Sequence, residues 1–197
     1  MKATTLSLLS VLIVIQVAVL GIMIHGKEHV LRAGEQLRFK TRPIDPADPF
    51  QGRYVALGFE HNFIPPPKGE PRDLQHHEPI FALLESGDDG FARFTGWSRE
   101  RPETGVYIKT RYLGPHSFWD PAKSNLVSRG MNIALPFDRY YMDEAKAPRA
   151  EAAVRDATRS TNCWAEVRIL RGKAVIEDVV ACGQSLRTIA AEAPPPR

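Results

Sequence analysis

The residues of this chain whose types lend themselves to catalysis or metal binding are scattered rather than clustered. His76-His77-Glu78 stands in a Pro-rich stretch, with His61 upstream of it. Imidazoles and a carboxylate are ordinary metal ligands, but neighbours in an extended segment point apart. No i, i+4 partner or cysteine joins them, so a solvated loop is the simpler account and no metal is expected. His25 and His29 lie four apart just beyond an apolar run, where membrane-interface contact suits them better than a closed site. Serine hydrolysis of the Ser–Lys kind needs a serine beside a base. No serine occurs between residue 25 and Gly52, and the first one beyond is Ser86, beside a turn signal. Arg139-Tyr140-Tyr141 offers an anion or partner site, since Arg and Tyr favour interfaces; its alternative is a buried tyrosine covered by arginine. Trp97, Trp119 and Trp164 read as core or edge packing rather than a ligand cage. No catalytic residue or cofactor is assigned, and the chain is read as no enzyme.

The two cysteines carry a structural expectation. Val167 and Ile169 alternate on one side of Gly172-Lys173, Ile176 and Val180 on the other, which is the period-two pattern of a hairpin. A two-residue turn with Gly first sets Arg168 opposite Glu177 and Cys163 opposite Cys182. Their Cα atoms would then be ~5.5 Å apart, within disulfide range. A disulfide is expected over two buried thiols, and with it an oxidising compartment.

The elements that hold these residues begin with an anchor. No charged residue occurs from Ala3 to Ile24, and thirteen of the residues from Leu6 to Ile24 are Leu, Ile or Val. Such a run favours insertion by roughly 4 to 8 kcal/mol. A cleaved signal peptide is the competitor, but its apolar core is usually ~7–15 residues long with a small-residue exit. Here the run is longer and the exit Val19-Leu20-Gly21 is poor. Lys2 flanks one end, Lys27 and Arg32 the other, so the positive-inside rule does not choose a side. The expected disulfide does, placing the N-terminus in the cytoplasm and the rest in the periplasm.

Beyond the anchor, 26 basic and 23 acidic residues over the whole chain give a net charge of +3. They intersperse without a basic stripe, so nucleic acid is not an expected partner. Strands are predicted at 36–41, 54–60, 80–85, 91–97, 106–112 and 132–135. A Pro-rich loop is expected at 65–79, and one helix from Pro148 through Ala157. The fold class is mainly β, a sandwich or open barrel with one short helix on a single N-terminal transmembrane helix. Expected units are a signal-anchor at 1–25, a β-rich domain at 26–185 and a Pro-rich disordered tail at 186–197.

The stretch Pro43-Ile44-Asp45-Pro46-Ala47-Asp48-Pro49 leading into Gly52-Arg53-Tyr54-Val55-Ala56-Leu57-Gly58-Phe59 resembles the signature of the GDYXXLXY domain family. Arg139-Tyr140-Tyr141 and the strand pair around Gly172-Lys173 follow in the family's order. Arg53 replaces the family's Asp, and Phe59 its last Tyr. The resemblance implies a bacterial membrane-anchored protein of unknown activity, often encoded beside multi-pass membrane proteins, and supplies no catalytic residues. The motif also has a physical reading. Asp45 and Asp48 can form Asx-turns, Gly52 permits a bend, and Leu57 and Phe59 share a strand face that suits the core. Tyr54 falls on the other face unless a bulge brings it round.

The expected function is a non-enzymatic accessory module on the bacterial inner membrane. It would present a periplasmic β domain to a multi-pass membrane protein, with the lipid bilayer as its other partner. The alternative is a tethered small-ligand-binding or hydrolytic domain, whose ligand the sequence leaves unknown.

Overall fold

Helix α1 (Lys2–Ala33) takes up the uncharged run in the computed structural model, which describes residues 2–42, 54–65, 73–120, 125–142, 150, 153–154, 156–157 and 162–191. Its 32 residues reach ~48 Å, against a ~30 Å hydrocarbon core. Every Leu, Ile and Val from Leu8 to Ile24 is at least 50% exposed, the reverse of a buried core helix. One N-terminal helix is thus long and apolar enough to cross a membrane.

The helix runs on past the expected anchor segment of residues 1–25. It continues to Ala33, and Val30 is buried at 2% exposure. Only Gly34 separates it from the first strand, β1 (Glu35–Arg42). The Gly34 N–H donates to the Val30 carbonyl at 2.8 Å, and its own carbonyl accepts from Arg168 Nη1 at 3.2 Å. A Cβ at residue 34 would stand 2.5 Å from the Val30 oxygen and 3.1 Å from the Ile169 backbone. Glycine is required there for close approach.

The remaining strands are β2 (Tyr54–Ala56), β3 (Gly58–Phe59), β4 (Phe63–Ile64), β5 (Pro79–Ser86), β6 (Ala92–Ser98), β7 (Val106–Asp120), β8 (Asn125–Ala134), β9 (Arg139–Tyr141), β10 (Cys163–Leu170), β11 (Lys173–Ala181) and β12 (Gln184–Ser185). They form two five-stranded antiparallel sheets, β12-β11-β10-β1-β3 and β4-β8-β7-β5-β6, and a ribbon of β2 with β9. The mainly β class is as the sequence indicates. Alternation builds one core: Leu37, Phe39 and Thr41 of β1 point inward, as do Cys163, Ala165, Val167 and Ile169 of β10. From the second sheet come Ile80, Ala82 and Leu84. Phe39 packs edge-on against Phe137 at 5.0 Å and Phe59 at 6.1 Å. Buried hydroxyls are satisfied: Thr41 donates to the Cys163 carbonyl at 2.9 Å, and Thr110 to that of Ala134 at 2.6 Å. The sheets touch where the Lys109 N–H donates to the Gly172 carbonyl at 2.9 Å.

Several expectations need correction. The strand predicted over 54–60 breaks at Leu57, whose two sides join different sheets. Strands β7 and β8 run far past the predicted spans. The ladder accommodates Gly114-Pro115 by register shifts at Tyr112/Gly114 and His116/Ser117. The helix expected up to Ala157 is present in the described residues, with Ala150, Val154 and Ala157 buried. The tail expected from residue 186 is instead helical at its start. Helix α2 (Leu186–Ala191) is capped by Ser185, whose Oγ accepts from the Arg187 N–H at 3.2 Å, and Leu186 is wholly buried. Residues 192–197 lie outside the described part.

The disulfide is overturned. Arg171 (φ 50°) and Gly172 (φ 85°) take the two turn positions, one residue earlier than expected, as a type I′ geometry with both residues left-handed requires. A bulge then skips Glu177, and Cys163 pairs with Ala181. Cys182 instead opens the next turn, at φ 52° beside Gly183 at φ 78°. No bond joins the cysteines; Cys163 is buried and Cys182 exposed. The Arg168–Glu177 pair persists diagonally, Nε to Oε2 at 2.7 Å. Under native conditions without reductant, a maleimide should therefore modify Cys182 alone, and Cys163 only after unfolding. Two unreactive thiols in the unfolded, unreduced chain would contradict this register.

Candidate functional site

The two segments carrying the family pattern are paired in the fold. In the ribbon, Tyr54 opposes Tyr141, Val55 opposes Tyr140 and Ala56 opposes Arg139, and the Leu57 N–H donates to the Asp138 carbonyl at 2.9 Å. Leu57 and Phe59 are buried at 3% and 4% exposure. Phe59 sits 5.4 Å edge-on from Phe137, in surroundings that leave a tyrosine hydroxyl no evident use. Asp45, Asp48, Gly52 and Arg53 lie outside the described residues. Tyr141 projects from the ribbon at 70% exposure, while Tyr140 turns inward to 7%.

Tyr140 anchors a polar network at the ribbon's inner edge. Its hydroxyl accepts from Arg187 Nε at 2.9 Å and donates to Asp178 Oδ1 at a longer 3.4 Å. Asp178 is held by its neighbours: the Val179 N–H donates to Oδ1 at 2.8 Å and the Ser185 hydroxyl donates to Oδ2. Arg187 Nη2 also donates to the Glu177 carbonyl at 2.6 Å. The bulge at Glu177 supplies that carbonyl, and the cap of α2 places the guanidinium. Burial pushes the Tyr140 phenol above its ordinary value of 10.0; the adjacent Arg187 opposes that shift and Asp178 adds to it.

Beside this network lies an open cavity of about 620 Å³, lined by Lys27 of α1, Arg139, Tyr140 and Tyr141 of β9, Ile176 of β11 and Arg187 of α2. A second cavity, of about 520 Å³, adjoins it along α1 and shares Lys27, Pro136, Ala174 and Val175 with it. Sequence reasoning singled out Arg139 and Tyr140 but missed Lys27, Asp178 and Arg187. Arg187 fell in the supposed tail, and only Ser185 before Leu186 and Ile189, at helical spacing, could have flagged it.

The histidine constellation is otherwise engaged. Glu78 accepts from the Gln75 N–H at 2.8 Å and from Arg99 Nε at 3.0 Å, and Arg99 Nη1 also reaches Asp73 at 2.8 Å. The Gln75 N–H, with help from Arg99, holds the Glu78 carboxyl below its ordinary value. His76 and His77 contact each other edge-on at 4.1 Å. His116, which the sequence did not flag, stacks on Phe63 at 4.3 Å and meets Asn132 Oδ1 at 2.9 Å. Among the described residues, no three His, Cys, Asp or Glu side chains are placed to hold a metal. Trp164 packs at a sheet face with Phe91 at 6.2 Å and the Arg38 guanidinium at 5.9 Å.

An apolar N-terminal helix running unbroken into a two-sheet β domain, with a paired motif ribbon beside the junction, defines the class of protein. The family model described as GDYXXLXY protein matches residues 16–179, and the chain belongs to that family. No curated protein and no solved structure matches it.

The Tyr140 network has a pH signature. Below pH 10 the phenol is protonated in both folded and unfolded chains, and its contribution is complete. Above that, the unfolded chain loses the proton first, so stability falls as pH rises toward the folded value. Tyr140→Phe should cost about 1 kcal/mol at neutral pH and flatten the alkaline decline in chemical denaturation. An equally steep decline in the variant would remove Tyr140 as its source.

Proposed function

We propose that this chain is a non-enzymatic accessory module of the bacterial inner membrane. Its N-terminus is cytoplasmic, and its β domain stands in the periplasm, presenting the motif ribbon to a membrane-embedded protein partner. The observation that carries the reading is the junction at Gly34. A tethered enzyme working on soluble substrates needs only a flexible leash, whereas here Val30 of α1 is buried against the domain and only Gly34 precedes β1. Such a joint fixes the height and attitude of the domain over the bilayer. The ribbon with exposed Tyr141 lies beside that joint, sharing a cavity with Lys27 of α1. Aromatic and arginine side chains are favoured in protein interfaces.

The periplasmic orientation draws on the tendency of long domains to translocate largely regardless of charge. A second reading, a tethered small-ligand domain, draws on the 620 Å³ cavity, a size within the ~300–1,000 Å³ common for ligand sites.

Two measurements test the proposal. A C-terminal alkaline phosphatase fusion should be active, with the mature chain beginning at or near Met1; activity of a cytoplasmic reporter instead would reverse the orientation. Affinity isolation in mild detergent should recover a multi-pass membrane protein, and Tyr141→Ala should reduce that recovery severalfold without changing the melting temperature. Reproducible recovery of a small molecule and no membrane protein would replace the accessory role with the ligand-binding one.

A further inference from the structure

The two cavities at the junction form one groove with unlike ends. The end along α1 is walled by Ile22, Met23 and Val30 on the helix and by Ala174 and Val175 on β11. Ile22 and Met23 belong to the uncharged run that ends at Ile24, so this end opens at the margin of the hydrocarbon layer. Cations rim this groove: Lys27 sits where the two halves meet, Lys173 borders the apolar half, and Arg187 and Arg139, the latter 3.8 Å from Asp138, line the polar half. No Asp or Glu is among the described lining residues. Asp178 and Glu177 lie behind the wall, engaged with Ser185, Val179 and Tyr140, and with Arg168, respectively. Among the described residues Lys27 and Lys173 make no ion pair.

An apolar slot continuous with the bilayer edge and a cationic mouth above it fit one kind of occupant. We propose that the groove holds an anionic phospholipid of the adjacent leaflet, its acyl chain along Ile22 and Met23 and its headgroup phosphate at Lys27. This rests on the reading of α1 as a membrane span, though not on the domain having a protein partner. Gly26 lines the slot, and a Cβ there meets no atom within 4 Å, leaving room beside the helix for a chain. Such an occupant would cover apolar surface that the junction otherwise exposes at the headgroup level. It would also place a negative charge beside two cations that lack one.

The test uses the full-length chain in dodecyl maltoside, with bound lipid counted by native mass spectrometry. Dioleoyl-phosphatidylglycerol and dioleoyl-phosphatidylcholine are supplied at equal concentration. The phosphatidylglycerol adduct should exceed the other by about fivefold per engaged cation. Lys27→Gln with Lys173→Gln should erase most of that preference. Gly26→Leu should remove the adduct by filling the slot while raising helix propensity, so its melting temperature should not fall. Equal adducts of the two lipids, or a Gly26→Leu chain that binds like wild type, would overturn the proposal. Carbonate extraction of membranes separates the failures: a chain released to the supernatant refutes the span, whereas one retained without headgroup preference refutes only the groove.

Discussion

The close approach of α1 to β10 at Gly34 is the constraint on which the rest of this structure depends. With no side chain at that position, the helix end and the Ile169 backbone come within contact distance. Val30 can then lie buried at 2% exposure, worth about 1.5–3 kcal/mol relative to exposure. Arg168 locks the same point by donating to the Gly34 carbonyl while pairing with Glu177 across the hairpin. A half-exposed ion pair contributes little by itself; its value here is positional. Helix and domain consequently meet without a linker, and the groove lies between α1 and β11 at that joint.

The family pattern reads as architecture in the residues described. Leu57 and Phe59 are core side chains, while the backbone around them changes partners, from β9 before Leu57 to β1 after it. The motif therefore stitches the ribbon to the first sheet. Phe59 in place of the family's last tyrosine fits this role, because its ring packs against Phe39 and Phe137. Tyr140 keeps its hydroxyl for a different reason: the Arg187–Asp178 network requires an oxygen at that point.

What the sequence made legible were the features written in long periodic runs. The apolar helix, the alternation in β1, β5 and β10, and the inward stripe Ala150, Val154 and Ala157 all follow from simple periods. Errors arose where one residue shifts a ladder. The bulge at Glu177 and the left-handed Arg171 are invisible to alternation, and together they carry Cys182 out of reach of Cys163. With that bridge gone, an oxidising compartment loses its independent support. The site was least legible of all, since Lys27, Tyr140 and Arg187 come from three elements that only tertiary packing brings together.

Whether helix and domain move as one body is read most directly from hydrogen exchange at the backbone amides of residues 26–34, with the full chain in lipid nanodiscs. These amides lie beyond the uncharged run, so the bilayer does not by itself shield them. A single body requires protection comparable to the core strand β10, with the Gly34 amide among the slow ones. Exchange of residues 26–34 within seconds, while β10 stays protected, would mean a flexible tether and would contradict it.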